Sequence, residues 1–192
     1  MSTNSSYQHR DTETQRIKKD SAPLRLRNPF KLLWLMFKTR RPSRISEMRA
    51  VPENFWLGRN YAAMMFFGHI IAHTQEECDH INATNGSVKR HETIHLRQAQ
   101  ACHNSWFCYY IIYIWYYLRA LPMNRHLHNA AYRLNPFEME AYEHMYEPDY
   151  LEKHCQGGAN GWRRYARIKP RERAELLLKK HQSQRLDCSK FP

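Results

Sequence analysis

One pattern in the sequence is typical of a metal site, His-Glu-x-x-His at positions 91–95. Residues four apart on an α-helix lie about 40° apart around its axis, so His91 and His95 would share one face. Two imidazoles placed in this way can bind one zinc ion, and Glu92 beside them is a candidate general base. A catalytic zinc ion also needs a third protein ligand and an open position for water.

Two glutamates on a later helix are candidates for the third ligand. Asn135 and Pro136 are typical of a helix start, and they predict a helix that runs from Pro136 to about Tyr146. Either Glu138 or Glu140 can complete a His-His-Glu set. The two glutamates lie about 200° apart around this helix, so they cannot point to the same side.

The helix that carries the motif is predicted to begin near Ser87, whose hydroxyl can cap it, and to run to about Asn104. One face of this helix carries residues spaced by four, three and four positions: His91, His95, Gln98 and Cys102. Gln98 is therefore a candidate for orienting a metal ligand, and a solvent-facing glutamine is the alternative.

The residues before this helix indicate a short strand and a turn. Residues 68–73 (GHIIAH) are typical of a short buried strand. The polar residues 74–87 contain Asn85-Gly86, a strong turn signal, so a short hairpin at the sheet edge is expected there. If residues 68–72 form an edge strand, a peptide can bind beside them by strand addition.

Residues 105–121 are the most apolar part of the chain, and residues 105–118 carry no charge. This stretch is shorter than a typical transmembrane helix. A buried core helix and a helix that contacts a membrane interface are both compatible with its length and its Tyr and Trp content. Pro122 is expected to end the helix.

The overall charge leaves several kinds of partner open. Lys and Arg total 30 against 18 acidic residues, a formal charge of +12, which suits nucleic acid, an anionic membrane surface or an acidic partner. Residues 1–22 are polar, lack the apolar region of a signal peptide and are expected to be a disordered tail. Residues 23–50 alternate basic and apolar side chains. They predict an amphipathic segment that lies on an anionic membrane or packs on the domain.

These boundaries predict a single domain at residues 51–168, followed by an amphipathic helix and tail at residues 169–192. The five cysteines are irregularly spaced and contain no CxxC pair, which argues against a zinc ribbon. They are interpreted as reduced thiols of a cytoplasmic protein that has no signal peptide. Peripheral contact with the inner face of the membrane is part of this prediction.

The motifs together resemble those of gluzincin zinc metallopeptidases, in which H-E-x-x-H is followed by a helix carrying a glutamate ligand. Asn-Pro before E-x-x-A is similar to the peptidase domains of CAAX prenyl proteases and β-lactam-sensing membrane proteases. A group of small bacterial metallopeptidases is more similar, with H-E-x-I-H-x-R-Q, an aromatic W-Y helix and Y-R-x-x-x-F-E-x-E-A-Y. The matching residues are His91, Glu92, Ile94, His95, Arg97, Gln98, Trp115, Tyr116, Tyr132, Arg133, Phe137, Glu138, Glu140, Ala141 and Tyr142. The resemblance covers about residues 58–167.

This resemblance implies a mainly α fold of the α+β type, with a zincin-like helical core and a short hairpin or edge strand before the motif helix. It also implies one catalytic zinc ion held by His91, His95 and Glu138, because the first glutamate of E-x-x-A aligns with Glu138. Zinc would activate water for hydrolysis of a peptide or protein substrate, with Glu92 as general base. Tyr142 would face the site and hydrogen-bond a ligand or a developing oxyanion, and a core tyrosine is the alternative.

Two other classes of function are compatible with the sequence. An inactive zinc-binding protein with a structural or regulatory role would keep the same fold and the same metal ligands. A basic nucleic-acid-binding module would use the charge of +12. The basic residues are spread over tails and helix rims without a recognition motif, so nucleic acid is the least favoured partner.

Overall fold

The computed structural model describes residues 29–44, 48–52, 61, 63–84, 86–125, 127–154 and 158–188. The helices in chain order are α1 (Pro29–Lys38), α2 (Gln75–Ala83), α3 (Ser87–Ala101), α4 (Trp106–Ala120), α5 (Ala130–Arg133), α6 (Pro136–His144), α7 (Tyr150–His154), α8 (Trp162–Ala166) and α9 (Pro170–Cys188). Short 3-10 helices span Pro42–Arg44 and Leu121–Arg125, and the strands are β1 (Ala50–Pro52), β2 (Ala63–Phe66) and β3 (His69–Ala72). The fold is mainly α with a small sheet, as predicted. The predicted tail at residues 1–22 lies outside the described residues.

The small sheet has the order β1-β3-β2, so β3 is its central strand. β2 and β3 form an antiparallel hairpin, and β1 pairs with β3 in parallel. Phe67 and Gly68 connect the hairpin with positive φ angles of 44° and 84°, as tight hairpin turns require. A hairpin therefore precedes the motif helix, but it lies at residues 63–72 and not at the predicted residues 74–87. The prediction that residues 68–72 bind a peptide by strand addition is wrong, because both sides of β3 already pair with neighbouring strands.

The polar residues that follow the sheet form helix α2, so the hairpin predicted at residues 74–87 is wrong. Thr74 caps this helix through a reciprocal capping box with Glu77. The Glu77 amide donates to Thr74 Oγ1 at 3.1 Å, and the Thr74 amide donates to Glu77 Oε2 at 3.2 Å. The T-x-x-E spacing that predicts such a cap is present in the sequence and outweighs the Asn85-Gly86 turn signal.

Helix α3 contains the motif and begins at Ser87, but its cap residue is Gly86 and not Ser87. It ends at Ala101, three residues earlier than predicted, because His103 and Asn104 take positive φ angles of 56° and 53°. The fully buried residues Ile94 of α3 and Ala141 of α6 belong to one apolar cluster. The small Ala141 side chain lets these two helices approach closely.

Helix α4 presents different environments on its two sides. Trp106, Tyr109 and Ala120 are buried against the core, whereas other large apolar residues on this helix are exposed. The prediction of a core helix therefore holds for one face only. Among the residues that the structure describes, no helix is long and apolar enough to cross a membrane.

Both ends of the described chain pack onto this core. Met36 of α1 contacts the main apolar cluster, and β1 begins at Ala50, one residue before the predicted start of the domain. At the other end, Ala174 of α9 packs in a cluster around Ala120 and Leu134. A helix is therefore present at the predicted place and packs on the core near Ala174, but its leucines do not share one buried face, since Leu176 and Leu178 are exposed.

The loop at residues 158–161 fastens the C-terminal part of the chain to α3. The Ala159 amide donates to the Arg97 carbonyl at 2.9 Å. Gly158 has a φ of +117°, and a Cβ atom there would lie 2.7 Å from the Ala101 backbone nitrogen. Only glycine tolerates both this backbone conformation and this approach.

Replacing Gly158 with Ala should therefore lower the free energy of unfolding by about 2 kcal/mol or more, through backbone strain and steric overlap. Guanidinium unfolding measured by circular dichroism tests this. Gly86→Ala is the matched control, because Gly86 has room for a Cβ atom, with Thr84 Oγ1 nearest at 3.4 Å. Its unfolding free energy should change by less than about 1 kcal/mol. Equal losses in the two variants would contradict the role assigned to Gly158.

Candidate metal centre

The structure brings together the two motif histidines and Glu138. His91 Nε2 and His95 Nε2 are 3.1 Å apart. The Glu138 carboxylate lies 3.3 Å from His91 Nε2 and 3.4 Å from His95 Nε2. These three residues are only 3 to 6% exposed. The described residues thus contain a buried His-His-Glu group that can hold a metal ion.

Two short stretches of helix determine this geometry. One turn of α3 places the two histidines on the same side, and the first turn of α6 places Glu138 opposite them. Asn135 fixes the start of α6, since its side-chain oxygen accepts from the Phe137 amide at 3.2 Å. The structure therefore favours Glu138 over Glu140 as the third member of the group.

The charges of the metal-free group balance one another. Burial raises the pKa of Glu138, but the positive charge of His95 and hydrogen bonds from the two imidazoles bring it well below its usual range. Burial lowers the pKa of His95, but the charge of Glu138 and its hydrogen bond outweigh this and raise the pKa to about 9. Without metal, His95 therefore holds a proton at neutral pH that a metal ion must displace.

A hydrogen-bond chain leads from His95 to Glu140. The His95 Nδ1 atom lies 2.8 Å from Gln98 Oε1. The Gln98 amide nitrogen donates to Glu140 Oε2 at 2.7 Å and to the Phe137 carbonyl at 3.0 Å. Gln98 is fully buried, so the alternative of a solvent-facing glutamine is wrong.

The acceptors at Glu140 and Phe137 fix which way the Gln98 amide points. Because both groups accept hydrogen bonds, the Gln98 nitrogen must face them and its oxygen must face His95. That oxygen accepts a hydrogen bond from Nδ1–H of His95. The neutral imidazole then keeps its lone pair on Nε2, the atom that faces the other two members of the group.

The Glu140 carboxylate has two further donors. The Tyr150 hydroxyl donates to Glu140 Oε1 at 2.7 Å, and the Gly161 amide donates to the same oxygen at 2.8 Å. A Cβ atom at Gly161 would lie 2.6 Å from this oxygen, so only glycine lets the backbone come this close. Glu140 therefore holds α6, α7 and the loop at residues 158–161 around the His95 side of the centre.

Two tyrosines of α4 contact the group directly, and neither is among the site residues predicted from the sequence. The Tyr113 hydroxyl donates to Glu138 Oε1 at 2.8 Å. The Tyr109 hydroxyl lies 3.2 Å from His95 Nδ1. Their spacing of four residues on an otherwise apolar helix was an available signal, because buried tyrosine hydroxyls need polar partners.

The candidate general base, Glu92, is buried beside the group. Burial raises its pKa above the usual range, while the charges of His91 and His95 and a hydrogen bond from the Met65 backbone partly oppose the shift. Within the described part of the chain, Glu92 Oε2 has no hydrogen-bond partner. The hydrogen bond from the Met65 backbone therefore ties the Glu92 carboxylate to the hairpin.

Tyr142 lies on the solvent side of the group and covers His91. Its ring packs edge-on against His91, with ring centroids 4.6 Å apart. Its hydroxyl lies 3.2 Å from that of Tyr132. The side chain is half exposed, so the alternative of a core tyrosine is wrong.

Comparisons of the chain with protein-family models, with curated proteins and with solved structures found no match. The resemblance of its motifs to gluzincin peptidases therefore stays a prediction. Function has to be inferred from the side chains of the site, since a fold alone does not determine an activity.

A first prediction concerns the proton on His95. Because its pKa in the metal-free protein is about 9, binding of a divalent metal at pH 7.5 should release about one proton per chain from this residue. Protons compete with the metal below that pKa, so the apparent affinity should rise up to about tenfold per pH unit towards pH 9. Calorimetric titration in buffers of different ionisation enthalpy measures the released protons. Binding without proton release would contradict this assignment.

A second prediction concerns Glu140, which contacts none of the three ligand side chains directly. Glu140→Gln removes the negative charge that fixes the Gln98 amide, so metal affinity should fall about 10- to 100-fold although all three ligands remain. Competition with a chromophoric chelator measures this. Glu143→Gln is the matched control, because it makes the same change on the same helix, where the carboxylate contacts Arg164 and Tyr165. Equal metal affinities in the two variants would contradict the proposed hydrogen-bond chain.

Proposed function

We propose that the protein is a zinc-dependent metallopeptidase with one catalytic zinc ion held by His91, His95 and Glu138. The observation that carries this proposal is the separation of 3.1 to 3.4 Å between the facing atoms of the three side chains. Tetrahedral zinc with bonds of about 2.0–2.1 Å keeps neighbouring ligand atoms about 3.3 Å apart. The side chains would need little movement to bind it.

The donor set supports zinc over calcium and magnesium. Two imidazoles and one carboxylate form a set that catalytic zinc sites use, with a fourth position left for water or substrate. Calcium and magnesium prefer sites made of oxygen ligands only. The Tyr113 hydroxyl donates to Glu138, and the Gln98 side chain hydrogen-bonds to His95. Metal ligands in proteins are commonly oriented by such additional hydrogen bonds.

The proposed reaction is hydrolysis of a peptide bond. A bound zinc ion supplies Lewis-acid chemistry, which acidifies water and polarises the carbonyl group under attack. Glu92 takes the proton from the attacking water and delivers it to the leaving amine. Its raised pKa makes it a stronger base than an ordinary carboxylate, and the Met65 amide holds one of its oxygens in place.

Tyr142 is the proposed donor to the developing oxyanion. Burial and the negative charge of Glu138 raise the pKa of this tyrosine to about 12, although the hydrogen bond with Tyr132 and the charge of Arg133 lower it. Tyr142 therefore keeps its hydroxyl proton at neutral pH. Its ring already contacts His91, at the side of the group that reaches solvent. A hydroxyl in this place can donate a hydrogen bond to charge that forms on a substrate oxygen.

One observation favours the alternative of a zinc-binding protein without turnover. The proposed ligands and Glu92 are almost completely buried residues, at 6% exposure or less. Structural metal sites are closed in this way, whereas a peptidase must admit a substrate. The two functions predict the same metal content and differ only in hydrolysis.

The Glu92→Gln variant separates these two functions. It should keep about one zinc ion per chain and lose peptide hydrolysis by a factor of about 10² or more, because the amide cannot accept the proton of water. Metal content is measured by mass spectrometry of the metal, and hydrolysis by mass spectrometry of a mixed peptide library.

His91→Ala is the control for the metal itself, and it should lose both zinc and hydrolysis. If wild type and Glu92→Gln both bind zinc and neither cleaves the peptide library, the protein is a zinc-binding protein without peptidase activity. If wild type binds no zinc, both functions are excluded.

A further inference from the structure

The outward side of α4 is a continuous apolar surface. Its large side chains are 53 to 69% exposed and follow one another at intervals of four, three, one and three residues. We call this set the α4 stripe, and it consists of Phe107, Ile111, Ile114, Trp115 and Leu118. Such spacing places them on one face of the helix, over a length of about 16 Å. A surface of this kind usually contacts something other than water.

A second exposed apolar patch lies on α1. Leu33, Trp34 and Phe37 are 44 to 67% exposed, whereas Met36 is partly buried and packs onto the core. We call these three residues the α1 patch. Helix α1 is therefore anchored to the domain by one face and exposes apolar side chains on another.

The two surfaces are connected through the start of α4. The Ser43 amide donates to Asn104 Oδ1 at 3.0 Å, and Asn104 Nδ2 donates to Ser43 Oγ at 2.7 Å. This pair ties the chain that leaves α1 to the turn just before α4. Phe67 of the hairpin then contacts Phe107, the first residue of the α4 stripe, with ring centroids 5.7 Å apart.

Positive charge accompanies both surfaces. Residues 29–44 contain five basic residues and no acidic residue. Within the described part, Lys38 lies over the Trp34 ring at 4.8 Å and Arg40 lies over the Phe37 ring at 5.7 Å. Arg119 lies over the Trp115 ring of the α4 stripe at 5.9 Å. Basic groups stacked on exposed aromatic rings suit an interface that is apolar below and anionic at its rim.

We propose that the α4 stripe and the α1 patch bind the surface of an anionic membrane. Helix α4 is about 22 Å long, shorter than the hydrocarbon core of about 30 Å, so it would lie in the plane of the interface. Tryptophan with flanking arginine is typical of the headgroup region. A second copy of this chain is a poorer occupant, because two surfaces with the same excess of positive charge repel each other. This interaction is independent of the proposed peptidase activity.

Flotation of the full chain with lipid vesicles tests the proposal. Vesicles of phosphatidylcholine mixed with an equal amount of phosphatidylserine should carry the protein upward, and vesicles of phosphatidylcholine alone should bind much less. Added salt should weaken the binding, because it screens the attraction to the headgroups. The double variant Ile111→Glu, Trp115→Glu should bind the anionic vesicles at least about tenfold less, since each substitution removes an inserted apolar side chain and adds a negative charge.

Leu176→Glu combined with Leu178→Glu is the matched control, because these α9 residues are similarly exposed, at 47 and 50%, and the charge change is identical. It should reduce binding far less than the α4 variant. A second variant, Trp34→Glu with Phe37→Glu, tests the α1 patch, and melting curves of all variants establish that they fold.

Three results would overturn the proposal. These are absence of flotation with anionic vesicles, equal binding of the α4 and α9 variants, and equal binding to both vesicle types. Sedimentation velocity adds a further test, since a wild-type dimer that the α4 variant converts to a monomer would assign the stripe to a second copy of the chain.

Discussion

The structure depends on the burial of two carboxylates from one short helix. Glu138 and Glu140 are two residues apart on α6 and point to different sides, and both are nearly inaccessible to water. Removing a carboxylate from water costs several kcal/mol unless hydrogen bonds or opposite charges compensate for it. Glu138 is compensated by two imidazoles and the Tyr113 hydroxyl, whereas Glu140 is compensated by Gln98, Tyr150 and the Gly161 amide.

These two sets of partners connect the fold to the site. Gln98 belongs to the Glu140 set, yet its oxygen also accepts from His95, so Glu140 determines, through Gln98, which nitrogen of the neutral His95 imidazole carries the proton. The loop at residues 158–161 reaches Glu140 because Gly158 and Gly161 permit close backbone approach. A change far from His91, His95 and Glu138 can therefore alter the geometry of the candidate metal centre, through the position of α6 on α3.

The sequence predicted the part of the site that depends on helical periodicity. His91 and His95 follow from a spacing of four, and the assignment of Glu138 came from the resemblance of E-x-x-A. The partners of Glu140 were not predictable in this way, because Tyr150 and Gly161 follow it by 10 and 21 residues and reach it only through tertiary packing. The central place of β3 was equally hidden, since it depends on pairing with Ala50–Pro52, some twenty residues earlier.

Helix α4 shows why residues 105–118 could not be assigned to core or membrane from apolar content alone. Both of its faces are apolar by ordinary scales, but they differ in hydroxyl groups. The tyrosines point inward, where Tyr109, Tyr110 and Tyr113 hydrogen-bond to His95, the hairpin backbone and Glu138, respectively. The outward face has aliphatic side chains together with Phe107 and Trp115. On this face, only the ring N–H of Trp115 needs a polar partner in an apolar medium. The position of the tyrosine hydroxyls therefore separates the face of α4 that contacts the candidate metal centre from the face that we propose binds a lipid surface.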